Sequence, residues 1–82
     1  MLQEEKRKLL WRCRRGMLEL DLILEPFVQN KIESLSEELQ QRFVNLLKLD
    51  DPVLFGWLMG HEQVDQPEYI ELVSIIRSNI HV

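Results

Sequence analysis

A single cysteine, Cys13, stands among the 82 residues, so no intramolecular disulfide can form and nothing covalent supplements the core. That suits a reducing compartment. No apolar run approaches the ~20 residues that cross a bilayer, so no membrane-spanning helix is expected. The first residues carry Glu4 and Glu5 and lack the apolar core of a signal peptide; the chain is therefore expected in the cytoplasm, most simply a bacterial one. There is no repeat, no Gly/Ser linker and no glycine-rich phosphate loop. The two histidines, His61 and His81, fall in a loop and at the chain end, without the partners a Ser/His/Asp set needs. No catalytic residue is assigned, and the chain reads as a binding module rather than an enzyme.

What the chain does have is a globular balance, 45% hydrophobic and 29% charged, enough for one domain over residues 1–82. The formal charge of -4 hides an asymmetry: residues 1–15, with Lys6, Arg7, Lys8, Arg12, Arg14 and Arg15 against Glu4 and Glu5, carry +4, and the remainder carries -8. Such a dipole steers a partner of complementary charge. A basic arm also raises nucleic acid as a partner class, but the acidic remainder and the glutamates within the arm favour a solvated face, and no nucleic acid is expected.

Apolar residues recur at helical spacing along most of the chain. Leu2, Leu9, Leu10 and Cys13 mark a first helix reaching towards Gly16; Met17, Leu20, Ile23, Leu24, Phe27 and Val28 mark a second, with a kink or short break expected at Pro26. Ser34 with Glu37 can form a capping box, and Ser36 is the alternative cap of a third helix that runs to about Leu49 and buries Leu39, Phe43, Leu46 and Leu47. Asp51-Pro52 is the next start signal, for a helix from Val53 to Met59 that stops at Gly60, with Phe55 and Trp57 partly in the core. Asp65-Gln66-Pro67 opens a fifth, whose Tyr69, Leu72, Val73, Ile76 and Ile80 repeat at helical spacing. The expected fold is all-α, a small antiparallel bundle of four to five short helices.

The stretch from Trp11 to Asp21 resists explanation by folding alone. It sets Gly16 beside Arg12, Arg14 and Arg15 and follows with Glu19 and Asp21. Glycine inside a helix costs ~0.5–1 kcal/mol relative to alanine. If the helix runs through, Arg15 and Glu19 lie one turn apart beside bare backbone, a flat patch with a cation and an anion suited to docking. If Gly16 instead has positive φ, it is a turn between two helices.

Arg15-Gly16-x-x-Glu19, preceded by Trp11 and Cys13 and followed by Leu20-Asp21, resembles the signature of the small flavin assembly factors of succinate dehydrogenase and fumarate reductase. A second block, Leu46-Leu47-x-x-Asp50-Asp51-Pro52-x-Leu54-Phe55-x-Trp57-Leu58-Met59, is similar to the same family. The resemblance implies a factor that binds the flavoprotein subunit of either enzyme and promotes covalent attachment of FAD to a histidine of that client. It implies partner-binding roles for Arg15, Gly16, Glu19, Trp11 and Asp21. No cofactor is expected to be held stably by this chain, FAD belonging to the client, and the free factor is expected to be a monomer. The competing class is a nucleic-acid-linked regulator or antitoxin that uses the basic arm.

Three other features have plainer readings. Arg12 and Arg14 would favour a thiolate at Cys13, but no base stands ready in the sequence, and a packed, inert thiol is expected. Cys13 and the histidines are too irregularly spaced for zinc. Asp50-Asp51 before a proline reads as a helix cap rather than a metal site. Trp11 and Trp57 read as packing residues before stacking ones, with an interface anchor as the alternative.

Overall fold

The structure is a computed structural model and describes residues 1–80. Five helices follow one another: α1 (Gln3–Arg12), α2 (Leu18–Asn30), α3 (Glu37–Leu46), α4 (Asp51–Leu58) and α5 (Ile70–Ser78). Single 3₁₀ turns at Ile32–Ser34 and Pro67–Tyr69 lead out of α2 and into α5. Among the described residues there is no strand, and no helix is long and apolar enough to cross a membrane.

Helix α2 occupies the middle of the bundle and packs on α1, α4 and α5. Its apolar residues at 20, 24, 27 and 28 recur at intervals of three and four, which puts them on one stripe, and all four are fully buried. Phe27 stacks on Phe43 of α3 with ring centroids 5.5 Å apart, and Trp57 of α4 meets Tyr69 at 5.9 Å. Leu46, Leu54, Leu72 and Ile76 close the core, and among the described residues no polar one is buried. Polar side chains act at its margins instead. Gln40 donates to the carbonyls of Ile32 and Leu35, and Lys6 donates to Gln29 O and Glu33, tying α1 to the far end of α2.

Several boundaries differ from the sequence expectation, each for a local reason. Pro26 does not break α2, which continues to Asn30. Proline has no N–H to donate to the carbonyl of Leu22, and both residues lie on the exposed side, where water can take that carbonyl. Ser36, not Ser34, caps α3: its hydroxyl accepts from Leu39 N at 3.2 Å, whereas the Ser34 hydroxyl donates back to Lys31 O. Helix α3 stops at Leu46 rather than Leu49, because the chain bends to aim the carbonyls of Leu47 and Leu49 at an arginine from another part of the fold. Helix α4 begins one turn signal early, with Asp50 at the cap position and Asp51 already helical.

The expected stop at Gly60 holds and has a full account. Gly60 adopts φ 76°, its N–H bonds Trp57 O, and His61 N–H bonds Gly56 O. This is the paired hydrogen-bond pattern that closes a helix through a left-handed glycine. Leu2 is 69% exposed, ahead of α1 rather than in the core. His81 lies outside the described residues.

Candidate interaction surface

Helix α1 ends at Arg12, with Cys13 as its cap, so it does not run through Gly16. Gly16 takes φ 81° in the turn between α1 and α2, a conformation that side-chain-bearing residues avoid by ~1–2 kcal/mol. No heavy atom lies within 4 Å of where a Cβ would stand. The glycine therefore answers a demand of the backbone, not crowding within the chain, and the reading of Arg15 and Glu19 as neighbours on one continuous helix is replaced.

The turn is held from both sides by the residues that flank it. Asp21, in the first turn of α2, reaches back and accepts the backbone N–H of Arg15 at 2.8 Å. The Arg15 side chain then leaves the turn and crosses to the segment between α3 and α4. Its Nε donates to Asp51 Oδ1 at 2.7 Å, Nη1 donates to Leu47 O at 2.5 Å and Arg12 O at 3.3 Å, and Nη2 donates to Leu49 O at 2.7 Å. Only 14% of that side chain is exposed. Four of the five guanidinium N–H groups are engaged inside the molecule, which leaves little capacity for a carboxylate from outside.

This bridge joins the two sequence blocks. Asp51 does not cap α4, as the sequence suggested; its carboxylate sits in the first turn, where a helix favours negative charge, and neutralises Arg15. Leu47 and Leu49 supply main-chain oxygens, so their identity gives no hint of the contact in the sequence.

The remaining predicted residues face outward. Glu19 is exposed in the first turn of α2 and is absent from the ion pairs among the described residues, so the anticipated Arg15–Glu19 pair does not form. Trp11, expected first as a packing residue, is 68% exposed, and Arg14 lies over its ring with the guanidinium carbon 5.2 Å from the centroid. Trp57, by contrast, is buried in the core. Two residues passed over in the sequence, Leu18 and Leu22, stand 66% and 65% exposed on α2. Their spacing of four was the available signal, masked by the stronger apolar stripe beside it.

Beneath this surface Cys13 is fully buried, and burial, reinforced by the charge of Glu25, pushes its thiol up to about 12 despite the nearby Arg15. A thiol so protonated is a poor nucleophile and a poor metal ligand. Among the described residues no group of three His, Cys, Asp or Glu side chains could hold a metal ion. His61 is exposed in the loop after α4, edge-on to Phe55.

A family model described as "Flavinator of succinate dehydrogenase" matches residues 7–80. The chain belongs to that family. It is 53% identical over 78 residues to proteins named FAD assembly factor SdhE from two strains of Legionella pneumophila, Lens and Paris, covering 95% of this chain and 98% of each relative. A protein of the same name from Idiomarina loihiensis is 46% identical over 79 residues, covering 96% of this chain and 88% of that one. The fold is shared with the solution structure of a UPF0350 protein, at TM-score 0.77 and 42% identity over 95% of this chain and 84% of that chain. The family match spans both motif blocks and the Arg15 bridge that connects them.

Proposed function

We propose that this chain is an assembly factor that binds the flavoprotein subunit of succinate dehydrogenase or fumarate reductase and promotes its covalent flavinylation. Its family membership carries that reading, together with relatives named as FAD assembly factors at about half identity over nearly the full chain. The α1–α2 turn is the surface presented to the client. Glu19, Trp11 and the bare backbone of Gly16 meet it; Arg15 and Asp21 act from behind, fixing the turn against α3–α4 and α2.

The factor supplies no reacting group. Its buried thiol is protonated, and the FAD and the acceptor histidine both belong to the client. What it contributes is geometry. Holding client segments where the two groups meet lowers a barrier through orientation alone, without a catalytic side chain from the helper. The free factor is a monomer in the cytoplasm of a bacterium and holds no cofactor of its own.

Purified apo-flavoprotein subunit, FAD and a dicarboxylate, incubated with and without the factor, test this directly. In-gel flavin fluorescence after denaturation should rise with the factor present, and the factor's own band should stay dark. Equal fluorescence in both samples, or flavin on the factor, would overturn the proposal.

A further inference from the structure

The segment Arg14 to Gly16 crosses from α1 to α2 between two anchored points. Cys13 on one side is fully buried, and Met17 on the other packs against the core. Between them little fixes the main chain. Of the N–H groups from Arg15 to Glu19, that of Arg15 is the one with a hydrogen-bond acceptor among the described residues, Asp21 Oδ1 at 2.8 Å. Gly16 has no heavy atom within 4 Å of where a Cβ would stand, so packing does not hold it either. The shape of the turn is therefore set at Arg15.

Two carboxylates act on that residue from different parts of the fold. Asp21 takes the main-chain N–H and ties it to the start of α2, six residues on. Asp51 takes the side chain and ties it to α4, 36 residues on, at 2.7 Å. Of the four acceptors around the guanidinium, Asp51 alone is charged, and a charged acceptor makes the stronger hydrogen bond. The pair is also sheltered: its side chains are 14% and 29% exposed, so solvent and salt screen it less than a pair on the open surface. Asp51 has no other hydrogen-bond or ion-pair partner among the described residues, and it stands on a helix whose Leu54, Trp57 and Leu58 are locked in the core.

We propose that Asp51 is a positioning residue for client docking, acting through Arg15 alone to set the shape of the α1–α2 turn that the flavoprotein subunit receives. This rests on the assembly-factor reading, and it gives the second sequence block a part in recognition without any contact with the client. A turn held at one residue spreads over several shapes when its charged bond is lost. A client that accepts one of them then binds more weakly by the fraction still competent.

Calorimetry with the purified flavoprotein subunit, at a temperature where circular dichroism shows every variant folded, tests the assignment. Asp51→Asn keeps the size of the side chain and removes its charge; it should weaken binding about threefold or more. In an Arg15→Met background, which keeps the apolar stem and removes the donors, the same change should alter affinity by less than about 1.5-fold, since the two residues act as one unit. Ile76→Val, a core change outside the bridge that lowers the melt, is the control and should bind like wild type. Amide exchange supplies a second readout that general loosening would not move. Asp51→Asn should quicken exchange of the Arg15 N–H, whereas Ile76→Val should quicken only core amides such as that of Leu24.

Unchanged client affinity in Asp51→Asn overturns the proposal. An equal loss in the Arg15→Met background does so too, because it would put the carboxylate against the client itself. So does an equal loss in Ile76→Val, which would reduce the effect to a weaker fold. Should Arg15→Met not fold, the exchange data decide: an Arg15 N–H no faster in Asp51→Asn than in Ile76→Val overturns the assignment. A wild-type protein that neither binds nor flavinylates the subunit sinks the assembly-factor reading, a result distinct from all of these.

Discussion

Replacing Arg15 by alanine should damage the fold before it damages anything else. The side chain is 14% exposed, bonds one carboxylate and three carbonyls, and leaves Asp51 and the Leu47 and Leu49 oxygens without their donor when removed. A hydrogen bond to a charged group contributes ~1.5–3 kcal/mol, but these four share one side chain and do not add. Asp51 is 29% exposed, so water recovers part of the loss. A net cost of about 3 kcal/mol follows, against a total stability of ~4–12 kcal/mol for a chain of this length. In a domain this small it corresponds to a drop in Tm of ~12–24 °C. Arg15→Lys should fall between, because an ammonium can reach Asp51 or a carbonyl but cannot span all four acceptors. Far-ultraviolet melts of Arg15→Ala, Asp51→Ala and the double variant measure this directly, and the two single losses should be strongly non-additive. Melts within about 2 °C of wild type, with client binding lost, would refute the reasoning and make Arg15 a client-facing cation.

Gly16→Ala should cost ~1–2 kcal/mol from backbone strain alone, since nothing lies near the added methyl, and a melt unchanged from wild type would refute that account. Cys13 should resist alkylation at pH 8 until the chain unfolds. Its raised thiol also sets a sign for pH dependence: the unfolded thiol ionises near ~8.5 while the native one holds its proton to about 12, so stability present below the first value is lost as pH rises towards the second. Urea midpoints at increasing pH should fall above that onset, and Cys13→Ala should flatten the fall.

The helices were legible because burial imposes a spacing of three and four. Leu20, Leu24, Phe27 and Val28 needed no knowledge of their neighbours, and Gly60 announced its own stop. The site was legible only in part. Composition singled out the Trp11–Asp21 stretch and resemblance supplied the second block, but nothing local could show that Arg15 points away from Glu19. Three of its four acceptors lie 32 to 36 residues on, and three of the four are main-chain oxygens that any residue would present. Trp11 and Trp57 look alike in one dimension, but Leu9 and Cys13 take the buried face of their turn and Trp11, two residues from each, lies on the opposite side. The early end of α1 turned Gly16 from an odd helical residue into a necessary left-handed one.

The Arg15 bridge also bears on the order in which this chain matures. The packing of α2 on α4 and α5 and the reach of Arg15 to Asp51, 36 residues on, close loops of comparable length, so bundle and bridge carry the same kind of entropic cost. Helices of 8 to 13 residues are marginal alone in water, so they gain their stability from the same packing that brings Asp51 to Arg15. A chain that ends before Asp51 therefore lacks the carboxylate that holds its α1–α2 turn in place.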